Sequence, residues 1–118
     1  MSNYEQLPAK VKVKFIAGDD VTMPYQIGTN VVANGTTTFV PTNITGYSFE
    51  SVIESTASNE TATIQILNSA NGSIAVKWTD TQTSNLTIGI GTWYLVMIDK
   101  DQYERTIVAG DVEVYSRV

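Results

Sequence analysis

Apolar and polar residues alternate along most of the chain with a period of two, the repeat that sends successive side chains to opposite faces of a β-strand. In "KVKVKF", Val11, Val13 and Phe15 alternate with Lys10, Lys12 and Lys14, giving one apolar face and one wetted lysine row. Such a charged row also suits a sheet edge, where it discourages pairing with another chain. After a Gly18-Asp19-Asp20 turn, "VTMPYQI" reads as a strand, and Pro24, which has no N–H to give a ladder, assigns it to an edge or a bulge. Gly28 to Asn43, rich in Asn, Thr and Gly, reads as a long loop with one short strand near Thr37 to Val40. In "TGYSFESVIE", Tyr47, Phe49 and Ile53 share a face opposite Ser48, Glu50 and Glu54, and "TATIQIL" repeats the alternation with Ala62, Ile64 and Ile66.

The dipeptide Asn71-Gly72 between "IQIL" and "IAVKW" is a strong hairpin signal, because both residues tolerate positive φ. Ile74, Val76 and Trp78 then face inward. The stretch Thr79 to Leu86 fits either a single helical turn capped by Thr79 or Asp80 or a crossover between sheets. Thr92 to Ile98 is apolar on both faces and is therefore a central strand. The last strand, Arg105 to Tyr115, puts Val108, Val112 and Val114 opposite Asp111 and Glu113. Seven or eight short strands without a long helix describe an all-β fold, an antiparallel β-sandwich. In or beside its core we expect Phe15, Tyr47, Phe49, Ile64, Ile66, Val76, Trp78, Val96 and Val108.

Composition narrows the chemistry. A chain of 118 residues with 42% hydrophobic and 16% charged residues fits a single folded domain. We expect an N-terminal arm over residues 1–9 and one sandwich domain over 10–118. The first ten residues lack the basic and apolar regions of a secretory signal, so the chain is expected to stay in the compartment that makes it. The longest apolar run, Trp93 to Ile98, is too short to span a bilayer, and no membrane partner is expected. Twelve acids against seven bases give a net charge of −5, which disfavours a phosphate backbone and hence nucleic acid.

The chain has no cysteine and no histidine, which removes disulfides, thiolates, the commonest general base and the commonest transition-metal ligand. Asp99, Asp101 and Glu104 in "IDKDQYERT" invite a cation-site reading, as do Asp19 and Asp20, yet neither group has calcium-loop spacing. Both fall where turns are needed. No Ser-x-x-Lys motif or Gly-x-Ser-x-Gly elbow accompanies the serines. Catalytic, metal and cofactor residues are accordingly expected to be absent, and the chain is not expected to be an enzyme. Five Asn-x-Ser/Thr triplets, at Asn34, Asn43, Asn59, Asn71 and Asn85, are read as turn chemistry rather than glycan acceptors. Trp78, Trp93, Tyr94 and Tyr115 leave a sugar-stacking platform as an alternative to core packing.

Taken in order, "GDDVTMPYQI", "NITGYSFESVIES", "TIQILNSANGSIAVKWTDTQTSNL", "IGTWYLVMID" and "ERTIVAGDVEVYSRV" resemble the small Ig-like β-sandwich proteins of tailed bacteriophages and prophages. The likeness rests on a Gly-Asp turn, an Ile-Thr-Gly-Tyr step at Ile44 to Tyr47, and a crossover carrying Thr79, Thr83 and Leu86. It continues through a glycine-led strand from Gly91 to Asp99 and a Gly-x-Val-x-Val ending at Gly110 to Val114, with Arg117 after it. The resemblance implies a virion component, made in the host bacterial cytoplasm, of the tail, baseplate or fibre-attachment region. It carries over no catalytic residue. Capsid decoration and a carbohydrate-binding sandwich are the alternative roles.

A small domain without site chemistry works through its surface. The expected contact elements are Ser2 to Ala9, with Tyr4, Leu7 and Pro8; the loop Gly28 to Thr42, with Val31, Val32 and Phe39; and the C-terminal segment from Tyr115. Their expected partners are other virion proteins, met in multiple copies within a symmetric assembly.

Overall fold

The computed structural model describes residues 9–117. Among these, 62% lie in strands and 5% in helix. Ten-residue β10 (Gly89–Ile98) is the middle of the larger sheet, with β11 (Glu104–Tyr115) on one side and β6 (Ser48–Glu54) on the other. Its lack of any charged residue is the sequence signature of that central place. Short β7 (Asn59–Thr61) extends the sheet beyond β6. The smaller sheet has the order β3 (Val21–Gln26), β9 (Ser73–Trp78), β8 (Thr63–Asn68). β3 is an edge strand, one of the two places, edge or bulge, that Pro24 allowed.

The two sheets close on one core. Ile53, Trp93, Leu95, Val108, Val112 and Val114 from the larger sheet, with Phe15, meet Ile74, Val76 and Trp78 from the smaller one. Ile44 and Leu86, both outside strands, are buried in the same cluster. Of the expected core, Phe15, Val76, Trp78 and Val108 are buried, while Tyr47, Phe49 and Ile64 pack half-buried against the cluster. Ile66 and Val96 depart from expectation. Ile66 lies on the outermost strand of the smaller sheet and is 44% exposed. Val96 follows inward-facing Leu95, so the pleat turns it to the opposite face.

The first strand is not antiparallel and not continuous. β1 (Ala9–Lys10) and β2 (Val13–Ile16) both run parallel to β11 in one register, with Ala9 opposite Val108 and Val13 opposite Val112. The interruption between them is held by a tryptophan. Trp93 is paired with Gly110 across the ladder, and its indole Nε1 donates to the Val11 carbonyl at 2.9 Å. A side chain at residue 110 would put its Cβ 2.1 Å from that carbonyl oxygen, so glycine is what admits Val11 to this position. Ala9 thus belongs to the sheet, whereas residues 1–8 lie outside the described part of the chain.

Among the described residues eleven strands replace the seven or eight expected. One extra comes from this interruption. A second comes from Ala62, where the chain leaves the larger sheet after β7 and joins the smaller one as β8; the Ala62 N–H donates to the Ser51 carbonyl at 2.8 Å at the crossing. The third arises in Gly28 to Asn43, where the expected loop is a regular antiparallel hairpin, β4 (Gly28–Ala33) and β5 (Thr36–Pro41). Asn34 at φ 53° and Gly35 at φ 77° supply the two left-handed residues of its two-residue turn.

The short crossover is a helical turn. α1 (Asp80–Ser84) is capped by Thr79, whose side chain accepts from the Gln82 N–H at 3.2 Å while the Gln82 side chain accepts from the Thr79 N–H at 2.9 Å. Buried Thr83 fixes the helix to the first turn of the chain, its Oγ1 accepting from the Gly18 N–H at 3.1 Å and donating to the Asp19 carbonyl at 2.8 Å.

Candidate functional site

The acids that suggested a cation site are turn residues in the structure. The Asp99 carboxylate accepts from the backbone N–H groups of Asp101 at 2.9 Å and Tyr103 at 3.0 Å, which folds the loop between β10 and β11. Asp19 pairs with Arg117 at 2.8 Å, and Asp20 accepts from the Asp80 N–H at 2.7 Å at the start of α1. Among the described residues no three acids are placed to hold one metal ion. Changing Asp99 and Asp101 to Asn should therefore leave the fold intact, because an amide oxygen can still accept the turn's N–H bonds. A calcium-induced rise above about 5 °C in the native chain, lost in that double variant, would reinstate the cation site.

Two of the asparagine triplets, at Asn43 and Asn71, also serve turns. Asn43 Oδ1 accepts from both the N–H and the hydroxyl of Thr45, and Asn71 Oδ1 does the same for Ser73.

Both tryptophans are interior, Trp78 at 1% and Trp93 at 2% exposure, so neither offers a face to a sugar ring. Trp93 stacks instead on Tyr25 of the opposite sheet, with ring centroids 6.1 Å apart. Trp78 Nε1 is buried without a hydrogen-bond partner among the described residues. Tyr94 takes the outer face of β10. Desolvation, with smaller contributions from Glu50 and Glu54, raises its phenol above the ordinary value. It borders a shallow depression of about 540 Å³ rimmed by Lys10, Lys12, Glu54 and Asp111. Charges of both signs around this rim make it a mixed surface rather than a single-sign one.

The expected contact residues fall in three places. Tyr4, Leu7 and Pro8 lie outside the described residues. Tyr115 is 47% exposed at the end of β11, its hydroxyl bonded to Glu113. Glu113 also pairs with Lys12 at 2.5 Å, and these two bonds hold its carboxyl below the ordinary range. Val31, Val32 and Phe39 are brought together on the β4–β5 hairpin, at 47%, 69% and 44% exposure. Val40, at 46%, joins them, and sequence reasoning had placed it there only as part of a short strand.

The hairpin is unusual in what it lacks. Among the described residues, all of its strand positions are exposed, it pairs with neither sheet, and none of its side chains joins the core. No Asp, Glu, Lys or Arg occurs between Asp20 and Glu50. An exposed ribbon of this kind normally carries charge or proline along its edges to block association, and here only Pro41 at its base does so. The hairpin is anchored where Ile27 donates to the Gly72 carbonyl at 2.8 Å and accepts from Thr42 at 2.9 Å, beside the turn between β8 and β9.

With this geometry in place, comparison with known proteins is informative about the fold. The chain is similar to a solved structure, the N-terminal domain of phage TP901-1 ORF48, with a TM-score of 0.56 and 18% sequence identity. The match covers 92% of this chain and 90% of that one, so the shared fold includes nearly the whole molecule. No family model matches the chain, and no curated protein matches its sequence.

Proposed function

We propose that the chain is a non-enzymatic structural component of a bacteriophage virion, an Ig-like sandwich of the tail, baseplate or fibre-attachment region. It acts by protein–protein contact and is present in several copies. The observation that carries this reading is the fold shared, nearly end to end, with a phage domain. The exposed apolar ribbon supports it, because Val31, Val32, Phe39 and Val40 are costly to leave in water without a partner. Repetition in a symmetric particle lets modest individual contacts add through avidity.

The test is made on purified particles separated into heads and tails, with the chain quantified by mass spectrometry. It is expected in the tail fraction at a copy number that matches the symmetry there. Recovery with heads instead would move it to capsid decoration, and absence from both would sink the virion reading. A Val31→Ser, Val32→Ser, Phe39→Ser variant is expected to stay folded, since the hairpin makes no core contact. Its incorporation should fall by about tenfold or more, as for loss of a central apolar anchor. Incorporation at the native copy number would remove the hairpin from the docking surface.

A further inference from the structure

We infer that the β4–β5 hairpin is an insertion element, taken up on both faces by an uncharged, apolar-lined cleft of a different protein rather than by a second copy of this chain. The inference rests on the reading that this chain acts by protein contact, and it names what the contact must look like.

The faces follow from the register. Pro41 has no N–H and is paired with Gly28, so that pair lacks hydrogen bonds, and alternation leaves Asn30–Phe39 and Val32–Thr37 in the same class. One face of the ribbon therefore carries Asn30, Val32, Thr37 and Phe39, and the other Thr29, Val31, Thr38 and Val40. Each face has two apolar side chains, and neither is turned to the body. The outward backbone groups of Asn30 and Val32 on one rim, and of Thr37 and Phe39 on the other, have no strand partner among the described residues.

Size decides between one face and two. Six residues per strand make a ribbon on the order of 20 Å long and 10 Å wide, or roughly 200 Å² of footprint per face. A stable specific interface takes about 800 Å² from each partner, so stacking one face falls short about fourfold. Contact on both faces and both rims recovers most of the difference. Two hairpins laid together bury only one face each, and they would draw together two bodies of net charge −5. Nor do the main depressions on this chain's described surface match a receptor cleft. Three of its surface depressions measure about 540, 470 and 320 Å³, against roughly 2,000 Å³ for the ribbon, and charged Lys10, Lys12, Glu54 and Arg105 border the two larger ones. The occupant is then a distinct protein, with contacts as free of charge as the hairpin itself.

The experiment places a photo-crosslinking benzoylphenylalanine at Val31 or at Val32, on opposite faces, in the full chain made in cells that produce all proteins of the particle. Both positions are expected to give adducts with one and the same protein other than this chain. Adduct yield should change by less than about twofold between roughly 0.05 and 1 M NaCl, because no ion pair is there to be screened. Adducts at only one position, adducts between copies of this chain, a salt-dependent yield, or no adduct at either position would each overturn the inference. Two-faced adducts with a protein missing from purified particles would leave insertion standing and sink the virion reading. The reverse, a chain present in particles with an uncrosslinked hairpin, would do the opposite.

Discussion

Replacing Trp93 by alanine is expected to destabilise the chain by about 3–5 kcal/mol, the range for emptying a buried aromatic site, read as a lower urea midpoint. The residue is 2% exposed and joins three parts that are distant in sequence. It lies on central β10, stacks on Tyr25 of the opposite sheet, and donates through Nε1 to Val11 at the start of the chain. Trp93→Phe separates these roles. It keeps most of the apolar volume but leaves the Val11 carbonyl without its donor, at a cost of about 1–3 kcal/mol. The stretch between β1 and β2 should then lose amide protection before the sandwich does. A Trp93→Ala variant within about 1 kcal/mol of the native chain would mean that the site collapses around the loss and that Trp93 does not join the two sheets.

Gly110→Ala is the second change with a large expected effect. The added Cβ would lie 2.1 Å from the Val11 oxygen and 2.8 Å from its carbonyl carbon, and both are backbone atoms that no rotamer change can move aside. Either β1 and β2 leave the edge of β11 or β11 bends. Overpacking of this sort costs about 1–3 kcal/mol and sometimes more. Hydrogen exchange should locate it, with protection lost at Val11 and along Val13–Ile16 while β3 and β9 keep theirs. Uniform weakening of both sheets would show that the edge is not a separable unit.

These two predictions come from features that no local pattern displays. Trp93 and Val11 are 82 positions apart, and nothing in "KVKVKF" marks the point where the strand breaks. The period of two reported that Val11, Val13 and Phe15 share a face, but a face is defined equally well for parallel and antiparallel pairing. For the same reason the change of sheet at Ala62 was invisible. The side-chain alternation of "ETATIQIL" continues across it, while the hydrogen bonds pass from β6 to β9.

The hairpin was missed on a different ground. Hydrophobic periodicity reveals a strand only when one face is buried and the other wet, and β4 and β5 have both faces exposed. A signal was nevertheless present. Asn34-Gly35 is the same dipeptide as Asn71-Gly72, which did locate the turn between β8 and β9, and both glycines adopt φ 77°. Six residues of β-branched and small polar character on each side would have completed the reading.

By itself, the sequence determined the all-β class, the central place of β10 and the turn role of Asp99, and it narrowed β3 to an edge or a bulge and Thr79 to Leu86 to a capped turn or a crossover. Each of these depends on residues within a few positions of one another, where backbone sterics, a missing N–H or a nearby side-chain acceptor act directly. Only the tertiary structure decided the parallel pairing of β1 and β2, the burial of Trp93 against Tyr25 and Val11, and the separation of an uncharged ribbon from the core. Those outcomes are set by which surfaces meet once the chain has closed, and contacts across many tens of residues leave no period in the sequence.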